Sequence, residues 1–207
     1  FKLSKKLKSW LGPLLVMVLV LIAFPLSIDI SQYDLDKFYF SIIVVSLLMT
    51  AFVATEGMFE EDFEDGSLEQ EFLKEKDFYK LVISKIFVYV CFIGIPIAFI
   101  GALFSFANGG AIGSFGKEFL LLSLSNLLLF NLFAFGNALS INNGAMLGVL
   151  SSLPLALPVI ILLGRAIRSI HYGDGFFAVT TLMVGIGLIV SAIMPLIISA
   201  ALKTHID

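Results

Sequence analysis

The sequence predicts an all-α integral membrane protein of six transmembrane helices, N-in and C-in, with a cytoplasmic amphipathic helical element between spans two and three. Three observations predict it. Of 207 residues, 59% are apolar and 14% charged, with a mean hydropathy of +1.03. A water-soluble domain carries about 45–50% apolar and about 25% charged residues. Six apolar runs are each long enough to cross a hydrocarbon core of roughly 30 Å as a helix. Lys and Arg divide unevenly between alternate connections, and the excess marks the cytoplasmic side.

The first run, 10–28, follows a cationic stretch holding Lys2, Lys5, Lys6 and Lys8. It is longer than a signal-peptide core and has no small-x-small cleavage pattern ahead of the acidic loop 29–36, so it reads as a span. The remaining spans fall at 38–55, 81–106, 119–141, 145–163 and 176–202. Charge is costly in lipid, and the single charged residue within these runs is Lys85, placed at the start of span three where it can snorkel. With the N-terminus inside, the inner segments hold Lys2, Lys5, Lys6, Lys8, Lys74, Lys76, Lys80, Lys85 and Lys203. The outer ones hold Lys37, Lys117, Arg165 and Arg168. The outer loop 164–175, with Arg165, Arg168 and His171, is either a tolerated local deviation or a cationic patch for an anionic partner or substrate. Neither a repeat nor a low-complexity linker divides the chain, so residues 1–207 form one transmembrane domain.

Ten of the sixteen acidic residues lie in segment 56–80: Glu56, Glu60, Glu61, Asp62, Glu64, Asp65, Glu69, Glu71, Glu75 and Asp77. The apolar residues among them are ordered. Phe59 and Phe63 are four apart, as are Leu68 and Phe72, so each pair shares one face of a helix. Between the pairs, Gly66 suits the left-handed conformation that ends a helix. Ser67 with Gln70 three residues later has the pattern of a capping box. The segment therefore reads as a broken amphipathic element on the inner membrane surface, its phenylalanines against lipid or neighbouring spans and its acidic face open to a soluble partner. The rival reading is a solvated acidic loop.

Composition also excludes several activities. A net charge of −3 and a pI near 5.4 give no basic field for nucleic acid. The acidic run contains no His or Cys and no calcium-loop spacing, so no metal site is expected. The phosphate-binding pattern G-x-x-x-x-G-K-[ST] fails at Ala111 and at Glu118 around Gly116-Lys117, so any ATP hydrolysis belongs to a separate subunit. The lone Cys91 lies in an apolar run and behaves as a small hydrophobe. Pro96, Pro154, Pro158 and Pro195 lie within spans, as helix-shaping residues or as gating hinges. Asn126, Asn131 and Asn137 in span four either hydrogen-bond across helices or line a path. Gly144-x-x-x-Gly148 permits a close helix approach. His171 is a weak candidate for haem ligation. Catalytic residues are not expected.

The stretch Glu56-x-x-Phe59-x-x-Asp62-x-x-Asp65-Gly66-Ser67-Leu68-Glu69-Gln70 resembles the signature of the CcmB family, haem exporter protein B of bacterial and mitochondrial cytochrome c maturation. Phe24-Pro25-Leu26-Ser27, Leu153-Pro154-Leu155-Ala156-Leu157-Pro158 and Pro195 resemble further family elements in the same order. The resemblance implies a non-catalytic ABC-2-type permease subunit in the bacterial cell inner membrane. It would work with a CcmA-type ATPase subunit and the membrane proteins CcmC and CcmD, releasing the haem-loaded chaperone CcmE. ATP would then sit on the ATPase subunit and haem on partner proteins, with no cofactor bound directly here. The family's tryptophan-rich haem motif belongs to CcmC, and this chain has only Trp10. By position the segment resembles the coupling element that such permeases insert into the ATPase. Phe59, Phe63 and Leu68 would be its anchor and Asp62, Asp65 and Glu69 its orienting charges, with Glu56, Gly66, Ser67 and Gln70 completing it. The rival expectation is an ABC-2 permease exporting a different lipid, drug or polysaccharide.

Overall fold

The structure, a computed structural model, describes residues 2–27, 35–74, 78–108, 111–141, 144–172 and 175–206. Every regular element among the described residues is helical. They are α1 (Lys2–Ser27), α2 (Leu35–Thr55), α3 (Glu60–Glu64), α4 (Ser67–Lys74), α5 (Phe78–Tyr89), a π-helical turn (Val90–Gly94), α6 (Ile95–Ala107), α7 (Ile112–Ser140), α8 (Ala145–Tyr172) and α9 (Phe176–Ile206). Among the described residues five stretches are long and apolar enough to cross a membrane: Tyr39–Glu64, Phe78–Ala107, Ile112–Ser140, Met146–Ile170 and Phe176–His205. Leu11–Ser27 is apolar but shorter.

Two helices outrun their apolar segments. α7 begins seven residues before position 119, and α8 continues nine residues beyond position 163, so Arg165 and Arg168 stand on exposed helical positions rather than in a loop. An apolar run measures only the lipid-compatible part of a helix, and the hydrogen-bonded backbone continues beyond it into more polar residues. The extension of α7 also brings Glu118 inside the bundle, 3% exposed, with its Oε1 lacking a hydrogen-bond partner among the described residues.

α7 is the axis of the bundle. It buries Leu121, Leu122, Ser125 and Asn126, and every residue from Leu128 to Ala134, as expected of a helix that is apolar on all sides. By contrast α1 buries a single stripe, Pro13, Met17 and Leu21, spaced four apart. α8 and α9 turn Leu150, Leu157, Ile161, Leu188, Ile189 and Ile193 outward. Apolar outward faces are what lipid as solvent permits.

Small residues set the closest contacts. A Cβ on Gly101 in α6 would lie 3.0 Å from Leu122 Cδ1 and 3.4 Å from Met17 Cε, so α1 and α7 both bear on that point. A Cβ on Gly148 would lie 2.6 Å from the carbonyl oxygen of Gly136, and one on Gly136 would lie 2.7 Å from that of Gly148. Here the backbones of α7 and α8 touch. Gly148 thus meets a glycine of another helix, whereas Gly144, at φ +85°, serves the turn before α8 and has nothing near it. Gly148→Leu is expected to push α7 and α8 apart and cost about 1–3 kcal/mol, as overpacking does. The check is a lowered thermal midpoint of the detergent-solubilised protein.

The prolines differ in effect. α8 runs unbroken through Pro154 and Pro158, and α9 through Pro195. Only Pro96 adjoins an irregularity, standing just after the π-helical turn. Its ring excludes the carbonyl four residues back, and a wider turn accommodates that clash. Asn126 Nδ2 donates across to the Gly94 carbonyl at 2.7 Å, supplying a partner where the regular ladder is disturbed. Asn131 instead donates to the Leu127 carbonyl of its own helix.

Candidate functional site

Segment 56–74 folds as two short helices lying against one end of the bundle, and its local sequence accounts for each break. α2 stops where Thr55 Oγ1 donates to the carbonyls of Ala51 and Phe52, both at 3.0 Å, and Gly57 follows at φ +70°. α3 ends at Asp65 and Gly66, again at φ +70°, the left-handed step foreseen for glycine here. The cap of α4 differs from the expected Ser67–Gln70 box. Asp65 Oδ1 accepts the Ser67 N–H at 3.0 Å, and Ser67 Oγ turns back to donate to the Asp62 carbonyl at 3.2 Å. A carboxylate two residues ahead of the helix competes successfully for the free N–H.

Three spans hold this element. Asn137, near the end of α7, accepts the Phe59 N–H on its Oδ1 at 2.9 Å, joining residues 78 apart in sequence. Lys85 of α5 forms an ion pair with Asp62, and its ammonium lies 5.2 Å from the centre of the Phe59 ring. Lys203 near the end of α9 stands 5.5 Å over the Phe72 ring, which packs edge-on against Phe78 of α5. Lys85 therefore pairs within the chain as well as escaping lipid. Lys85→Met is expected to cost about 1–3 kcal/mol, from a partly buried pair and a cation–π contact. A double-mutant cycle with Asp62→Asn isolates the pair: in the Asp62→Asn background Lys85→Met should cost less by the coupling energy, while the contact with the Phe59 ring is still lost.

The orientation of the apolar residues corrects one expectation. Phe59 and Leu68 are fully buried among this chain's own helices, and Phe63 and Phe72 are packed against the same core. Phe59 and Leu68 thus rest on neighbouring spans and are not presented to a partner, while Phe63 and Phe72 are half-buried. The outward face consists of Glu60, Glu61, Glu64, Asp65, Glu69 and Gln70, with Asp62 half-buried on its lysine and Glu56 exposed at the end of α2. One outward residue was missed in the sequence: Leu73, 84% exposed and one turn beyond Glu69. Its signal was present, since position 73 falls off the Leu68–Phe72 stripe. Glu75, Asp77 and the side chain of His171 lie outside the described residues. Among the described residues no group of three or more His, Cys, Asp or Glu is placed to hold a metal ion.

A bundle of long apolar helices with a clamped, acidic-faced helical pair at one end defines a multi-pass membrane protein. The chain matches the family model described as CcmB protein over residues 3–205, and it belongs to that family. It is 28% identical to Heme exporter protein B of Pseudomonas aeruginosa over 197 residues, which is 94% of this chain and 88% of the relative. Against the Haemophilus influenzae protein of that name the identity is 27% over 203 residues, 95% of this chain and 90% of the relative. With Heme exporter protein B of Escherichia coli the match is 33% over 86 residues, 42% and 39% of the two chains.

Proposed function

We propose that this chain is the membrane permease subunit of the ABC complex that serves haem export and delivery in cytochrome c maturation. In this reading a separate CcmA-type ATPase subunit supplies the energy, CcmC and CcmD are membrane partners, and ATP hydrolysis drives release of haem-loaded CcmE. Membership of the CcmB family over residues 3–205 carries the proposal. The chain crosses the bacterial inner membrane six times with both termini inside. α1, whose backbone helix runs Lys2–Ser27, is the sixth span beside the five long stretches. α3 and α4 form the coupling element, and the lysine excess places them in the cytoplasm.

The mechanism is mechanical. Closure of the ATPase pair displaces α3 and α4 through their outward face, where Leu73 is the apolar contact and Asp65, Glu69 and Gln70 set orientation. Because Phe59 is bonded to Asn137 and Asp62 to Lys85, the shift enters α7 and α5 together. Gly136 against Gly148 passes it from α7 to α8.

The test is deletion of the gene, followed by covalent-haem staining of c-type cytochromes and measurement of b-type haem and haem-loaded chaperone. Loss of c-type haem with b-type haem retained and loaded chaperone accumulating is expected. Unchanged c-type haem would refute the reading in favour of export of a different substrate.

A further inference from the structure

We infer that a cleft beside the coupling element is a socket for a lysine side chain of the soluble ATPase subunit, with Glu56 as its counter-charge. The inference rests on the functional reading above and adds the chemistry of one contact. The cleft has a volume of about 40 Å3 and lies where α2, α7 and α8 meet, lined among others by Phe52, Glu56, Phe133, Asn137, Ser140 and Ser152. Gly136 and Gly148, whose backbones bring α7 and α8 into contact, form part of its wall.

The lining selects for a cationic donor. Each hydroxyl has one proton, and here each is already committed: Thr55 Oγ1 to Ala51 and Phe52, Ser140 Oγ to Asn137 at 2.7 Å, and Ser152 Oγ to Gly148 at 2.7 Å, all at backbone carbonyls. What these oxygens retain is lone pairs. Glu56 adds an exposed carboxylate, and the one side-chain N–H group in the lining is that of Asn137, whose Oδ1 is taken by Phe59. An acceptor-rich rim with a carboxylate repels an anion, and among donors it favours an ammonium, whose three N–H groups carry a positive charge that strengthens each bond.

Size and walls narrow the guest further. The volume suits a group about as large as one to three waters, a size that a compact ammonium meets. Phe52 and Phe133, packed edge to face at 5.5 Å, offer apolar surface for a methylene stem. Glu60, Glu61 and Glu64 are exposed on the adjoining α3, so the surrounding field draws a cationic face towards the cleft.

The experiment uses the co-expressed, co-purified complex of this chain with its ATPase subunit and a carbodiimide, which joins a carboxylate to a lysine amine only in direct contact. Mass spectrometry should find an amide between Glu56 and a lysine of the soluble subunit. Glu56→Gln should abolish that product, spare products from Glu60, Glu61 and Glu64, and weaken subunit binding about tenfold. An intact complex without a Glu56 product, a Glu56 product confined to this chain, or Glu56→Gln binding as wild type would each overturn the socket. Failure of the wild-type chain to retain the ATPase subunit at all would overturn the functional reading, and the socket with it.

Discussion

Leu68→Asp is expected to abolish folding rather than partner binding. Leu68 is fully buried beneath the α3–α4 element, so aspartate there removes apolar contact and leaves an unpaired charge. Loss of the side chain's packing alone costs about 2–5 kcal/mol, and the buried charge adds to it, placing the total above about 4 kcal/mol. The measurement is the yield of monodisperse protein after mild detergent extraction, which should fall to near zero. Leu73→Asp is the companion variant. With its side chain 84% exposed, it should extract like wild type yet lose co-purification of the ATPase subunit. Normal extraction of Leu68→Asp together with aggregation of Leu73→Asp would mean that Leu73, not Leu68, faces the core.

Asn137→Leu is expected to separate the coupling element from the bundle while leaving the membrane helices assembled. The amide oxygen of Asn137 is the acceptor for the Phe59 N–H, and Phe59 is fully buried. Leucine keeps similar bulk but removes the acceptor, stranding a backbone donor at a cost of about 1–3 kcal/mol. That is small against a whole bundle and large for a five-residue helix such as α3. Protease sensitivity or faster amide exchange should appear in residues 56–66 first, with the thermal midpoint of the bundle shifted only slightly. On the proposed function, c-type haem should fall and ATPase binding should weaken with it, because residues 56–66 carry Glu56 and Asp65 of the docking face and Asn137 lines the cleft beside them. Asn137→Asp retains an oxygen acceptor at the same distance and should restore protection of that segment.

Much of the architecture is local information and was legible as such. Apolar runs near twenty residues announce membrane helices because each closes its own backbone hydrogen bonds. The break between Phe63 and Leu68 was legible because Gly66 occupies a positive φ at little cost. The four-residue spacing of Phe59 with Phe63 and Leu68 with Phe72 announced two faces. The cap was harder, because Ser67 and Asp65 both offer an oxygen to the same turn and only the realised backbone decides between them.

By itself, then, the sequence determined a membrane protein of apolar helices with one broken, acidic, amphipathic element, since hydropathy, helical period and glycine conformation act over a few residues. Tertiary structure alone decided that Phe59 and Leu68 turn into this chain's own core. It also decided that Asn137 and Lys85 hold the element, and that Gly148 meets Gly136 rather than pairing with Gly144. An apolar stripe requires a cover without naming it, and a polar side chain in a span requires a partner without naming that either. Those partners are chosen by how distant helices pack.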